Sequence, residues 1–324
     1  MSILRNINTA RNSTVSTILT KSSITSTYGT STWYHNLPVQ VLVNIFQYFD
    51  EKDLTKNIAL VCKRWRYASN SPELWKKLEF YGKDVPTTFI CRKIRDLAYL
   101  KSVRVDNIAE PIAVIRQIYR CNPNIKHVAI RNCSTIPETA LRNLIQRCRK
   151  LESLDLSGTK FRANRFYEEI AGLINLRSVN LSKNSWLSVR NLLSVVLNCH
   201  KLEELQLSSF CPLKPLEQLS DEDASFIISN LAPNLKVLIL DASTLTNFSF
   251  KAIMHCNKLE QLGLYGAGNL SPDVFTRIWE HLPNLKMLKV RYAHQITGQH
   301  IVELFELGRN ARIILGLDII STCL

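Results

Sequence analysis

The side chains best able to do chemistry in this 324-residue chain are its nine cysteines and seven histidines. Thiolates and imidazoles hold metals or attack carbonyls only when spacing or folding brings them together. No CxxC pair occurs, and no cysteine stands with a histidine at metal-ligand spacing. The histidines form no constellation with a nucleophile, so neither catalysis nor a cofactor is expected. Ten glycines are too few for phosphate-cradling loops, and neither GxGxxG nor GxxxxGKS/T is present. The odd cysteine count and the lack of a secretory signal point to a reducing compartment. No run of about 18 apolar residues offers a membrane span.

The cysteines make sense only against the elements around them. The pattern apolar-x-x-apolar-x-apolar starts at Leu100, Ile125, Leu151, Leu176, Leu202, Leu235, Leu259 and Leu285, at intervals of 25, 26, 25, 26, 33, 24 and 26 residues. A weaker copy, Trp75/Leu78/Phe80, precedes the first, and another is expected near Ala311. The fourth and sixth positions alternate along a short strand, so both point inward. Apolar residues at helical spacing follow, as in Leu141/Leu144/Ile145, and lay one helix face on the strand. One such unit cannot bury its apolar face alone, whereas stacked copies share a continuous core. Cys148, Cys199 and Cys256 lie three residues before a motif, where Leu97, Leu173, Ala232 and Leu282 stand in other copies. They therefore read as small buried hydrophobes. Pro-Asn pairs at 123–124, 233–234 and 283–284 stop the helices and turn the chain into the next strand.

This pattern resembles the cysteine-containing, ribonuclease-inhibitor-like class of leucine-rich repeats over roughly residues 75–317. The resemblance implies an α/β horseshoe whose concave parallel sheet binds another protein.

Residues 33–80 break the period. Pro38 can open a helix as its first residue, with Leu42, Ile45, Phe46 and Phe49 as its apolar stripe. Asp50–Asp53 reads as a polar turn, and Ile58, Val61, Cys62 and Trp65 mark further helical positions. From Leu37-Pro38 through Val61-Cys62, Trp65 and Leu74-Trp75 to Leu78, order and spacing resemble an F-box. Phe49 stands where leucine is commoner, and six residues separate Leu54 from Val61 where many members have five. The resemblance implies docking of a Skp-type adaptor that leads to a cullin–RING ubiquitin ligase. It places Leu37, Pro38, Leu42, Ile45 and Phe46 in or beside the adaptor contact, with Val61, Cys62 and Trp65 packing the module or completing that contact. Independently of the family, 48 residues are too few to hide so wide an apolar stripe, which calls for a partner. The bland reading is a helical cap on the solenoid end.

The expected organisation is a Ser/Thr-rich tail at 1–32, a small all-helical module at 33–80, the horseshoe at 81–317 and a C-terminal tail at 318–324. Residues flanking the fourth motif position should face the concave side: Arg104, Asp106, His127, Arg131, Asp155, Asn180, Gln206, Asp241, Gln261, Tyr265, Lys289 and Arg291. These are the candidate target-binding residues, with Arg and Tyr as anchors. Net charge is +14, distributed as about +5 over residues 1–80, +11 over 81–200 and −2 over 201–324. Basic residues are not interleaved with aromatics and no DNA-reading motif appears, so the excess reads as a surface favouring acidic or phosphorylated protein targets, with Arg104 and Arg131 reaching them, rather than nucleic acid. The longest repeat carries an insertion at 208–223, ending in Asp221-Glu222-Asp223, read either as a target contact or as tolerated decoration. The acid-free tail reads as disordered, with a mitochondrial transit peptide as the alternative to a cytoplasmic or nuclear protein. The functional expectation is a non-catalytic substrate receptor of a Skp–cullin–F-box ligase; the alternative is a repeat scaffold whose helical module is only a cap.

Overall fold

The computed structural model describes residues 37–49, 53–97, 99–133, 136–159, 161, 165–184, 188–208, 219–293, 295–308 and 311–316. The expectations for the two tails and for most of the 208–223 insertion lie outside the described residues. Two compact units divide at Ser69/Asn70.

In the first unit, helix α1 spans Val39–Phe46. Pro38 precedes it at φ −54°, ψ 145°, so it caps the helix rather than occupying its first turn, and its carbonyl accepts the amides of Val41 and Leu42. A π-helical turn at Leu54–Ile58 runs into α2, Ala59–Val61. An i→i+5 turn holds one more residue than an α-turn. It takes up the extra residue between Leu54 and Val61 while Leu54 and Ile58 both stay buried. The helix expected to continue through Cys62 stops there instead. Cys62 is extended, and its Sγ accepts the Trp65 amide at 3.4 Å at the start of α3, Lys63–Ser69. Trp65 lies edge-on to Phe46, ring centroids 5.2 Å apart, tying α3 to α1.

The second unit is a ten-stranded sheet in strict sequence order, every neighbouring pair parallel. The strands are β1 Lys77–Tyr81, β2 Ser102–Asp106, β3 His127–Arg131, β4 Ser153–Asp155, β5 Ser178–Asn180, β6 Glu204–Gln206, β7 Val237–Asp241, β8 Gln261–Tyr265, β9 Met287–Arg291 and β10 Arg312–Gly316. Helices between them include α4 Thr87–Asp96, α5 Pro111–Cys121, α6 Glu138–Arg147, α7 Arg165–Ala171, α8 Val189–Asn198 and α9 Asp221–Leu231. The fourth and sixth motif positions pair across the sheet, as in Val103↔Val128 and Val105↔Ile130, and join helix residues such as Val114, Ile115 and Ile118 in one core. The weak copy at Leu78 is β1, paired along its length with β2. Its ladder draws residues 70–81 into the repeat unit, so the compact units divide at 69/70, within the expected 33–80 module, whose last residues, 77–80, are strand. The copy expected near Ala311 is β10, in register with β9.

Chain reversal after the strands uses left-handed residues: Gly82, Asn107, Asn132, Gly158, Lys183, Gly266 and Tyr292 all have positive φ. Asp221-Glu222-Asp223, expected as an acidic loop, is the first turn of α9, capped by Ser220 accepting the Asp223 amide at 3.1 Å. Carboxylates there offset the positive end of the helix dipole.

A second ladder runs along the rim where the strands start. Each rim residue donates its amide to the carbonyl of the previous one: Lys101 to Lys76, Lys126 to Lys101, Glu152 to Lys126 and Arg177 to Glu152. Glu203, Lys236, Glu260 and Lys286 continue it. From Lys126 to Lys286 the charges alternate. Ion pairs bind Lys126 to Glu152 (2.6 Å), Arg177 and Lys236 (2.7 Å) to Glu203, and Lys286 to Glu260 (2.6 Å). The Lys126, Lys236 and Lys286 hydrogen bonds hold Glu152, Glu203 and Glu260 below the usual carboxylate range.

Candidate functional site

Helix α1 is apolar at Val39, Val41, Leu42, Val43, Ile45 and Phe46, more than one stripe can hold. Three rows result. Leu42, Val43 and Phe46 are buried. Gln40, Asn44 and Gln47 form a polar row linked through side chains at 3.4–3.5 Å. Val41, Ile45 and Tyr48, spaced i, i+4, i+7, are 39%, 43% and 91% exposed, with Pro38 exposed one turn earlier. Leu60 and Val61 add a further exposed apolar pair, 66% and 58% accessible.

The stripe expected from sequence is therefore split. Of the adaptor candidates, Pro38, Ile45 and Val61 are exposed, and Leu37, Cys62 and Trp65 are half-buried. Leu42 and Phe46 are 1% exposed, so in this structure they support the surface rather than form it. Arg64 donates to the Leu37 carbonyl and Arg66 to that of Ala59 (3.0 Å), fixing the segments that carry the exposed row. Sequence reasoning missed Val41, Tyr48 and Leu60. The available signal was the second row at i, i+4, i+7, offset by one residue from the buried one.

In the repeat unit, core residues alternate with residues on the opposite, open face of the sheet. All twelve target candidates fall on that face. Arg104, Asp155, Asn180, Gln206 and Lys289 share the middle register row; Asp106, Arg131, Asp241, Tyr265 and Arg291 the row toward the strand ends; His127 and Gln261 the row at the strand starts.

Across β2–β6 several of these side chains satisfy one another. Arg131 reaches Asp155 at 2.8 Å through Nε, and Asn180 donates to both Asp155 and Gln206 at 3.2 Å. Asn132 donates to Asp106 at 2.8 Å, and Ser178 to Glu204 at 2.8 Å. Asp155 also accepts the Ser157 amide and is buried. Arg104 lies 5.3 Å from the Tyr81 ring and 3.9 Å from Asp106. Arg131 is thus paired within the face, whereas Arg104 keeps a looser contact to Asp106 and a buried Nε without a hydrogen-bond partner.

Across β7–β10 the face changes character. Val237, Ile239, Met287 and Ile314, none of them anticipated, replace the polar residues of the entering and middle rows. Gly263 sits beside Ile239, where a Cβ would come within 3.2 Å of it, and Ile239 is itself only 8% exposed. Arg291 lies 5.7 Å from the Tyr265 ring at its margin. Sequence reasoning looked for polar variety on this face, and so passed over apolar residues at the same register.

Cys148, Cys199 and Cys256 are fully buried, and burial pushes their thiols up to about 12, 11 and 12. Protonated and enclosed, these three are filling residues. Among the described residues no group of His, Cys, Asp and Glu is arranged to hold a metal, and no helix is long and apolar enough to cross a membrane.

Comparison with known proteins places an F-box-like family match on residues 34–81. "F-box protein SKIP19" of Arabidopsis thaliana is 21% identical over 251 residues, covering 75% of this chain and 72% of that protein. Among solved structures, the yeast Rad7–Elc1 complex contains a chain with TM-score 0.47 and 15% identity, covering 98% of this chain and 81% of that one. An internalin, inlF, of Listeria monocytogenes gives TM-score 0.42 and 15% identity, covering 88% and 89%.

Proposed function

For a chain that carries an F-box-like domain at residues 34–81 ahead of leucine-rich repeats, we propose the role of substrate receptor in a Skp–cullin–F-box ubiquitin ligase. The exposed row of α1, with Leu60 and Val61, docks a Skp-type adaptor; the open face of the sheet holds the target protein. The chain itself does no bond chemistry. Holding the target beside a conjugating enzyme raises its effective concentration, which is the whole contribution. Its working compartment on this reading is the cytoplasm or nucleus.

The observation that carries the reading is the row Pro38–Val41–Ile45–Tyr48. A short helix with a filled buried row does not need a second apolar row for its own stability, and leaving one in water forgoes about 25 cal/mol per Å² that a partner would recover. Co-precipitation with a purified Skp-type adaptor tests it. The wild type retains the adaptor, and Val41→Asp/Ile45→Asp, folded by circular dichroism, does not. Retention by the double variant would leave the scaffold reading, in which the helical segment serves only as a cap.

A further inference from the structure

The alternating charge of the strand-start rim fails at one end. Lys76, Lys101 and Lys126 are consecutive rungs, joined backbone to backbone at 2.7 and 2.9 Å. Neighbouring strands lie about 4.8 Å apart, so these are like charges on adjacent strands. Lys126 has Glu152 on its other side, whereas Lys76 and Lys101 are exposed and form no ion pair with a described residue. From Lys126 to Lys286 each cation meets a glutamate of the next or previous rung, and beyond Lys286 the ladder passes to Arg312, whose amide donates to the Lys286 carbonyl at 2.8 Å.

The helices that lead into these strands also end in basic residues, of which Arg95 pairs with Asp96 at 3.5 Å and Lys93 lies over the Trp75 and Phe89 rings. Five-residue loops link the C-terminal ends of α4, α5 and α6 to β2, β3 and β4. The last turns of these helices carry Lys93 and Arg95, Arg120, and Arg147, while those of α7, α8 and α9 carry no basic residue.

We propose that this end of the rim is a docking site for an acidic segment of a partner protein, a short run of Glu or Asp whose carboxylates occupy the places that Glu152, Glu203 and Glu260 fill further along. The chain shows its own preferred complement: at this rim its lysines are answered by carboxylates through single charge-assisted hydrogen bonds. Lysine at both open rungs fits that point-charge pairing better than the forked, bidentate grip by which arginine holds phosphate. The site lies on a different edge from the open face, belongs to a different unit from α1, and does not depend on the ligase reading.

Lys101→Glu tests it in the full-length chain, because it sets a carboxylate between Lys76 and Lys126 and so completes the alternation. Fluorescence anisotropy with labelled decaglutamate reads binding, and a ten-nucleotide single-stranded DNA of similar charge is the comparison ligand. The wild type binds decaglutamate more tightly than the oligonucleotide, and more weakly as salt rises. Lys101→Glu weakens the peptide about tenfold or more while its melting temperature stays at or above that of the wild type. The neutral double variant Lys76→Gln/Lys101→Gln also weakens it, without a reversed charge. Unchanged peptide affinity in both variants, tighter binding of the oligonucleotide, or a lower melting temperature for folded Lys101→Glu would each overturn the proposal.

Discussion

The open face of the sheet is built from one repeated unit, yet its two halves hold their side chains in opposite ways. Across β3–β6, Arg131, Asp155, Asn180 and Gln206 form a continuous hydrogen-bonded chain along neighbouring strands. Across β7–β10 the middle row reads Ile239, Gly263, Lys289 and Ile314. Polar groups already satisfied within the chain gain little by exchanging partners, and each must be desolvated to do so. Apolar groups on a rigid strand gain on every contact that excludes water. The same scaffold thus carries a hydrogen-bonded half and a more apolar half, in which Ile239 is itself buried.

Replacing the centre of the polar half gives the largest expected effect on the fold. Asp155→Ala leaves Arg131, Asn180 and the Ser157 amide without their shared acceptor and costs about 2–4 kcal/mol, read by urea unfolding. A cost under about 0.5 kcal/mol would break the distinction between the halves. In the apolar half the effect appears in capture instead. Met287→Asp, at a half-buried position of this face and checked for folding by circular dichroism, lowers retention of the bound target about tenfold, whereas Gln206→Ala changes it less than about threefold. Equal losses would show that both halves engage the target.

Gly158→Ala probes the turn beneath the polar half. Gly158 has φ +67°, and an added Cβ would lie 2.2 Å from Oδ1 of Asn132, the residue that holds Asp106. A loss of about 1 kcal/mol is expected, seen as a lower melting temperature. The smallest effect belongs to the rim carboxylates. Glu152, Glu203 and Glu260 titrate below their ordinary value of 4.5 in the folded chain. Their contribution is therefore present above about pH 4.5 and is lost as pH falls through the lowered folded values. Because these groups face solvent, the slope is shallow. Melting curves from pH 7 to 3 should show a smaller acid drop for Glu203→Gln than for the wild type.

Much of the repeat unit was legible because strand alternation and a period near 25 residues are both properties of the one-dimensional pattern. Leu78 and Ala311 marked even the first and last strands. The boundary at Ser69 was not legible, since Leu74 and Trp75 serve the F-box spacing and the first repeat at once. The π-turn at Leu54–Ile58 showed only as one residue too many. In α1, six apolar residues in eight leave two rows competing for the interior, and nothing local says that Leu42 and Phe46 win while Val41 and Ile45 lose. The break in the rim ladder was hidden for a different reason. Lys76, Lys101 and Lys126 become neighbours only when the strands stack.

Titration calorimetry of a purified Skp-type adaptor into the full chain tests the central claim most directly. The account predicts saturable one-to-one binding that Ile45→Asp abolishes, while Asn44→Ala, one position away on the polar row, stays within about 0.5 kcal/mol of the wild type. Binding that survives Ile45→Asp, or that responds equally to Asn44→Ala, would contradict it.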